Sequence, residues 1–182
     1  LGKTIEAGII LSQKWAERKR HLVIIAPANL RKQWVEELEE KFYLPAFILD
    51  RKVMDQLLAN PEVVNPFETD RIVVCSYDFA RRQERYLRLA QLDLVVLDEA
   101  HRLRNVYRPD NQTGNILRSA LVGKKKILLT ATPLQNSLLE LYGLTSFIDE
   151  YAFGDLKSFK SRYNGNLSEI DYAQLKKRLA PL

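Results

Sequence analysis

The strongest constraint on this chain is an alternation. Five short runs rich in branched apolar residues, His21 to Ala26, Ala46 to Leu49, Arg71 to Ser76, Asp93 to Leu97 and Lys126 to Leu129, are separated by longer stretches whose apolar residues recur at helical spacing. Strands joined by connections long enough to hold a helix pair in parallel, so the expected fold class is α/β, a parallel sheet with helices on both faces in three layers. Helical spacing starts near Ile5 and carries through Ile9, Ile10 and Leu11 to Trp15. Asn29 is placed to cap a second helix reaching about Phe42, with Leu30, Trp34, Val35, Leu38 and Phe42 on one side. A short helix is expected over Val53 to Leu58, and prolines and asparagines mark residues 60–70 as a loop. Helical spacing returns from Leu138 to Leu144, and the tail from Gly154 is helical in pieces with a basic end at Lys176, Lys177 and Arg178.

At 182 residues and 46% hydrophobic content, one domain with a full core is expected. It is divided into a lobe over residues 1–150 and a helical extension over 151–182. The longest apolar stretches, Leu22 to Pro27 and Leu92 to Leu97, fall far short of a membrane span, and no secretory signal is expected. The single cysteine, Cys75, lies inside an apolar run and reads as core packing in a reducing, cytoplasmic setting. A formal charge of +5 permits contact with a polyanion without demanding it. Because Gly2-Lys3-Thr4 follows Leu1 at once, with no initiating Met, the sequence is expected to begin inside a longer one and to be truncated before its first strand.

Polar residues gather where such a fold uses them, beyond the carboxyl ends of the strands. Gly2-Lys3-Thr4 ahead of a helix matches the second half of the phosphate loop G-x-x-x-x-G-K-[ST]. There backbone N–H groups cradle phosphates, the lysine reaches their oxygens and the hydroxyl holds Mg²⁺. An accidental tripeptide is the other reading. Asp98-Glu99-Ala100-His101 closes a buried strand. Asp98 is suited to hold Mg²⁺, Glu99 to polarise a water for in-line phosphoryl transfer, and His101 to relay the state of the site. Simple capping of a following helix is the alternative. Thr130-Ala131-Thr132-Pro133 ends another strand, where the hydroxyls of Thr130 and Thr132 either couple two sites or form an ordinary turn. The order of these three motifs along the chain carries more weight than any one of them.

Taken together these motifs resemble the superfamily-two helicases, and specifically the Swi/Snf-type ATPases. Gly2-Lys3-Thr4 is similar to their motif I, Asp98-Glu99-Ala100-His101 to motif II, and Leu128 through Asn136, with its Pro-Leu-Gln-Asn string, to motif III. Motif Ia is echoed by Pro27-Ala28-Asn29-Leu30 with Trp34, and motif Ib by Cys75-Ser76-Tyr77-Asp78. The resemblance covers Leu1 to about Tyr151. It implies a RecA-like lobe that binds ATP and Mg²⁺ through Gly2, Lys3, Thr4, Asp98 and Glu99. A second RecA-like lobe of the same protein then completes a translocase that moves on double-stranded DNA and remodels protein–DNA complexes. Nucleic-acid contacts are implied at Asn29, Arg31, Ser76, Tyr77, Gln135 and Asn136, made to phosphates rather than bases.

Ala131 stands where many members have glycine, and Thr4 through Gly8 looks closer to bacterial members, some of them associated with RNA polymerase. RNA polymerase or another DNA-bound protein is therefore an implied partner, the nucleoid an implied location, and no membrane is implied. The opposing lobe with its arginine finger, and the adenine-reading residues ahead of motif I, are not in this sequence, so the chain alone is expected to hydrolyse little ATP. A strand-separating helicase, a restriction-type translocase subunit and a nucleic-acid-binding module without turnover remain the other readings. Arg81, Arg82, Arg102 and Arg104 each read either as DNA contacts or as solvated partners of nearby carboxylates. Trp15 and Trp34 read as core packing.

Overall fold

The computed structural model describes residues 2–108, 110–131, 138–163 and 169–180. Its sheet has five strands, β1 (Leu22–Ala26), β2 (Ala46–Ile48), β3 (Ile72–Ser76), β4 (Leu94–Leu97) and β5 (Lys126–Leu128), in the order β2-β3-β1-β4-β5. Every pairing is parallel, with Ile24 set beside Val74 on one side and Val96 on the other. The α/β reading of the sequence holds. Successive side chains along a strand face opposite sides, so a strand covered on both faces must be apolar throughout. That is the state of β1, where all five residues are fully buried.

Val23 and Ile25 point with Val73, Cys75, Val95 and Leu97 into one core. It is covered by α3 (Arg51–Leu58), α4 (Tyr77–Arg82), α5 (Glu84–Leu89), α6 (Gln112–Ala120) and α7 (Leu138–Ile148). Leu22, Ile24 and Ala26 point with Ile72, Val74 and Val96 into the other, covered by α1 (Lys3–Ala16) and α2 (Arg31–Phe42). Each large aliphatic side chain buried this way contributes about 2 kcal/mol. A third, aromatic cluster joins α7 to α8 (Leu156–Tyr163) and α9 (Glu169–Leu179), with Phe159 4.8 Å from Tyr142 and 5.3 Å from Phe153 between ring centroids. Among the described residues no helix is long and apolar enough to cross a membrane.

Two helix starts differ from the sequence reading. Asn29 does not cap α2: the N-cap is Leu30, and no side chain bonds there. Leu30 N–H donates to the Pro27 carbonyl at 2.9 Å, so the chain turns into the helix through backbone alone, and Arg31 Nε closes the same turn onto the Ala28 carbonyl. Conversely α3 starts earlier than expected, because the Asp50 side chain accepts from Val53 N–H at 3.0 Å. Helix α6 was not foreseen in a segment of Thr, Gly and Asn. It forms because Asn111 caps it, accepting from Gly114 N–H at 3.0 Å, and because Leu117 and Ala120 are buried.

Candidate functional site

The first turn of α1 is held open by Gly2. Its φ of 120° is a conformation that side chains resist, and nothing lies within 4 Å of the Cβ position. No side chain caps this end, and the first backbone bond of the helix runs from Glu6 N–H to the Gly2 carbonyl at 3.0 Å. The N–H groups before Glu6 and the positive end of the helix dipole therefore face out of the turn. They face the carboxyl end of β4, where the acidic pair stands.

Asp98 is 7% exposed and is fixed at four points. Its N–H donates to the Ile25 carbonyl at 2.8 Å and its own carbonyl accepts from the Tyr77 hydroxyl at 2.7 Å. Oδ1 accepts from Glu99 N–H at 2.8 Å, and Oδ2 accepts from the Trp34 indole N–H at 2.9 Å. Glu99 adopts a left-handed conformation, φ 50° and ψ 46°, which costs a non-glycine residue about 1 kcal/mol. In that conformation its carboxylate lies between the Lys3 ammonium and the His101 ring. Lys3 Nζ is 3.5 Å from Oε1, and His101 Nδ1 is 3.0 Å from Oε2. Neither contact is aligned as a hydrogen bond, so both nitrogens are shut off from solvent without an acceptor among the described residues.

Lys3, Thr4, Leu30, Gln33, Trp34, Asp98 and Glu99 line a cleft of about 180 Å³. A pocket for a drug-sized ligand needs roughly 300–1,000 Å³. The cleft is thus smaller than a site that encloses a whole ligand of that size. An ammonium with unused donors, an uncapped helix N-terminus, and a hydroxyl and a carboxylate lining the same cleft together suit a polyphosphate bound with Mg²⁺. Magnesium takes one or two protein oxygens and completes its shell with phosphates and water. No group of three His, Cys, Asp or Glu that would cage a metal occurs among the described residues.

The structure brings together Gly2, Lys3, Thr4, Asp98, Glu99 and His101, which lie far apart in sequence. Thr130 is half-buried just past β5 and adjoins the acidic turn, where Ala100 N–H donates to the Leu129 carbonyl at 2.8 Å. Thr132, Gln135 and Asn136 lie outside the described residues. Asn29 is exposed and Arg31 half-exposed at the carboxyl end of β1. Ser76 caps α4, its oxygen accepting from Phe79 N–H at 3.2 Å. Tyr77 corrects an expectation. It is 5% exposed with its hydroxyl on the Asp98 carbonyl, so it braces the acidic strand end from inside and does not face a nucleic acid. Arg81 and Arg82 pair with Asp78, and Arg104 lies 3.6 Å from Glu140.

Trp34 is core, as its spacing says, yet it is also part of the site, which spacing does not say. The available signal was chemical: a buried indole N–H requires an acceptor, and Asp98 is the carboxylate buried in the same half of the molecule.

A family model for the SNF2-related domain matches residues 1–182. The RNA polymerase-associated protein RapA of Sodalis glossinidius (strain morsitans) is 35% identical over 164 residues, which are 87% of this chain and 17% of that protein. The chain therefore spans about a sixth of that relative's length. The Sulfolobus solfataricus SWI2/SNF2 ATPase core, solved in complex with dsDNA, superposes with a TM-score of 0.79 at 22% identity, over all of this chain and 37% of that one. The same RecA-like arrangement of sheet and helices is present in both.

Proposed function

The chain belongs to the SNF2-related domain family, and on that premise we propose that it is the lobe of a double-stranded DNA translocase that holds ATP and Mg²⁺ and grips the duplex backbone. The observation that carries this reading is the convergence of Lys3 and Thr4 on Asp98 and Glu99 across one cleft, with Lys3 Nζ 3.5 Å from Glu99. Lys3 and the N–H groups of the first turn of α1 bind phosphate oxygens. Thr4 and Asp98 would hold Mg²⁺, which when bound supplies Lewis-acid stabilisation of charge on the phosphates. Glu99 orients a water and accepts its proton, a task open to a carboxylate only partly exposed and with His101 at its second oxygen.

Asn29 and Arg31 follow the carboxyl end of β1, and Ser76 ends β3, its neighbour in the sheet. Polar groups and a guanidinium there suit phosphate contacts, which a motor moving over any sequence needs. A second lobe closing on the cleft completes the machine, and a DNA-bound protein such as RNA polymerase is the cargo that the RapA likeness supports.

Binding of a fluorescent ATP analogue tests the reading. Lys3→Ala is expected to weaken it roughly 10- to 100-fold, the worth of a charge-assisted contact. Equal affinity in the variant and the unaltered protein would refute the site. In the full-length protein, phosphate release should rise with duplex DNA more than with single strands or RNA, and strand separation in a displacement assay would favour a helicase instead.

A further inference from the structure

Asp98 is restrained more heavily than a metal carboxylate at a strand end requires. Its main chain is already anchored on both sides, by Ile25 through its N–H and by Tyr77 through its carbonyl. Its side chain is then held separately at each oxygen, by Glu99 N–H at 2.8 Å and by the Trp34 indole at 2.9 Å. The Trp34 bond is buried, and the residue is 2% exposed in the first turns of α2. Packing against Leu38 and its neighbours would be met by any ring of that size; only the N–H reaches the carboxylate. A carboxylate held at one oxygen can swing about its Cβ–Cγ bond. Held at both, it presents one fixed edge to the cleft it shares with Lys3 and Thr4.

We infer that Trp34 is a positioning residue for the metal-binding carboxylate: its indole N–H fixes the rotation of Asp98 and so sets the affinity of the cleft for Mg²⁺. The inference rests on the nucleotide reading above. Partners that orient a ligand from behind typically account for 10- to 100-fold in metal affinity. Because Tyr77 and Ile25 hold the strand end independently of Trp34, loss of the N–H frees the side chain and leaves the backbone in place.

The test is binding of a fluorescent ATP analogue to the full-length protein, titrated with free Mg²⁺ and repeated in EDTA. Trp34→Phe is expected to raise the half-saturating Mg²⁺ concentration 10- to 100-fold, with a clearly smaller loss of binding in EDTA. If Trp34→Phe does not fold, benzothienylalanine placed at position 34 removes the N–H at constant ring shape. A folded variant with an unaltered Mg²⁺ midpoint overturns the inference, as does an equal loss of binding with and without Mg²⁺, which would mark a damaged cleft. Lys3→Ala distinguishes the two layers. If that variant binds normally the nucleotide reading itself fails, whereas a normal Mg²⁺ midpoint in Trp34→Phe beside a defective Lys3→Ala removes only the role of Trp34.

Discussion

Gly143→Ala is the substitution whose consequence can be worked furthest from the structure. Gly143 lies where α7 crosses the turn at Leu103 and Arg104 that follows the acidic pair. A Cβ there would collide with the Arg104 carbonyl oxygen, and would stand 2.7 Å from its carbon and 3.4 Å from its Cα. These atoms are backbone and cannot rotate aside. The helix must retreat by about 1 Å before the contacts become ordinary, which loosens Leu144 and Phe147 in the core and stretches the 3.6 Å approach of Arg104 to Glu140. Overpacking of this kind costs about 3 kcal/mol at the upper end of its usual range. Alanine's better helix propensity offsets roughly 1 kcal/mol, leaving a net loss of about 2 kcal/mol. For a domain of this size that lowers Tm by about 4–8 °C.

Gly123→Ala is the internal control: φ there is 73° with open space around the Cβ position, so only backbone strain of about 1 kcal/mol applies. Thermal melts followed by circular dichroism should rank the unaltered protein first, Gly123→Ala second and Gly143→Ala last. A Gly143→Ala variant as stable as the unaltered protein would refute the close backbone crossing.

In the full-length protein, Glu99→Gln should keep nucleotide binding and lower DNA-stimulated phosphate release by roughly 10²- to 10⁴-fold, as loss of a general base does; turnover at the unaltered rate would remove Glu99 from that role. Burial pushes the Cys75 thiol from its ordinary value near 9 up to about 12. A raised folded-state value favours the neutral form, so the stabilisation is complete below pH 9 and is lost as pH climbs toward 12, at about 1.4 kcal/mol per unit. Urea midpoints between pH 8.5 and 11 should therefore fall more steeply for the unaltered protein than for Cys75→Val, and parallel slopes would contradict it. Tyr77→Phe leaves the buried Asp98 carbonyl without its hydroxyl donor, which should cost about 1–2 kcal/mol in a denaturant titration. A neutral result would show that the bond contributes nothing net.

The sequence alone determined the architecture and which polar residues gather at the candidate site. Strands buried on both faces must be apolar at every position, and connections that return the chain to the same edge must be helical, so β1 to β5 and α1, α2 and α7 were legible as patterns of local composition. Lys3, Thr4, Asp98 and Glu99 were legible for a related reason: a Gly-Lys-Thr ahead of a helix and an acidic strand end are short, contiguous and chemically unusual.

What escaped depends on contacts between residues distant along the chain, or on backbone geometry that composition does not encode. Asn29 has the chemistry of a cap, but the Pro27–Leu30 turn enters α2 without needing one. Tyr77 has the chemistry of a surface contact, but the pairing of β3 with β1, and of β1 with β4, carries it inward to the Asp98 carbonyl. Trp34 reads as an apolar ring from its spacing; its polar edge acquires meaning only because packing sets α2 against the end of β4, 64 residues away. Local pattern specifies which residues are polar and which strands are buried. Which polar group faces which is decided by the tertiary fold, since a hydrogen bond depends on a few tenths of an ångström across elements whose separation in sequence carries no information about their distance.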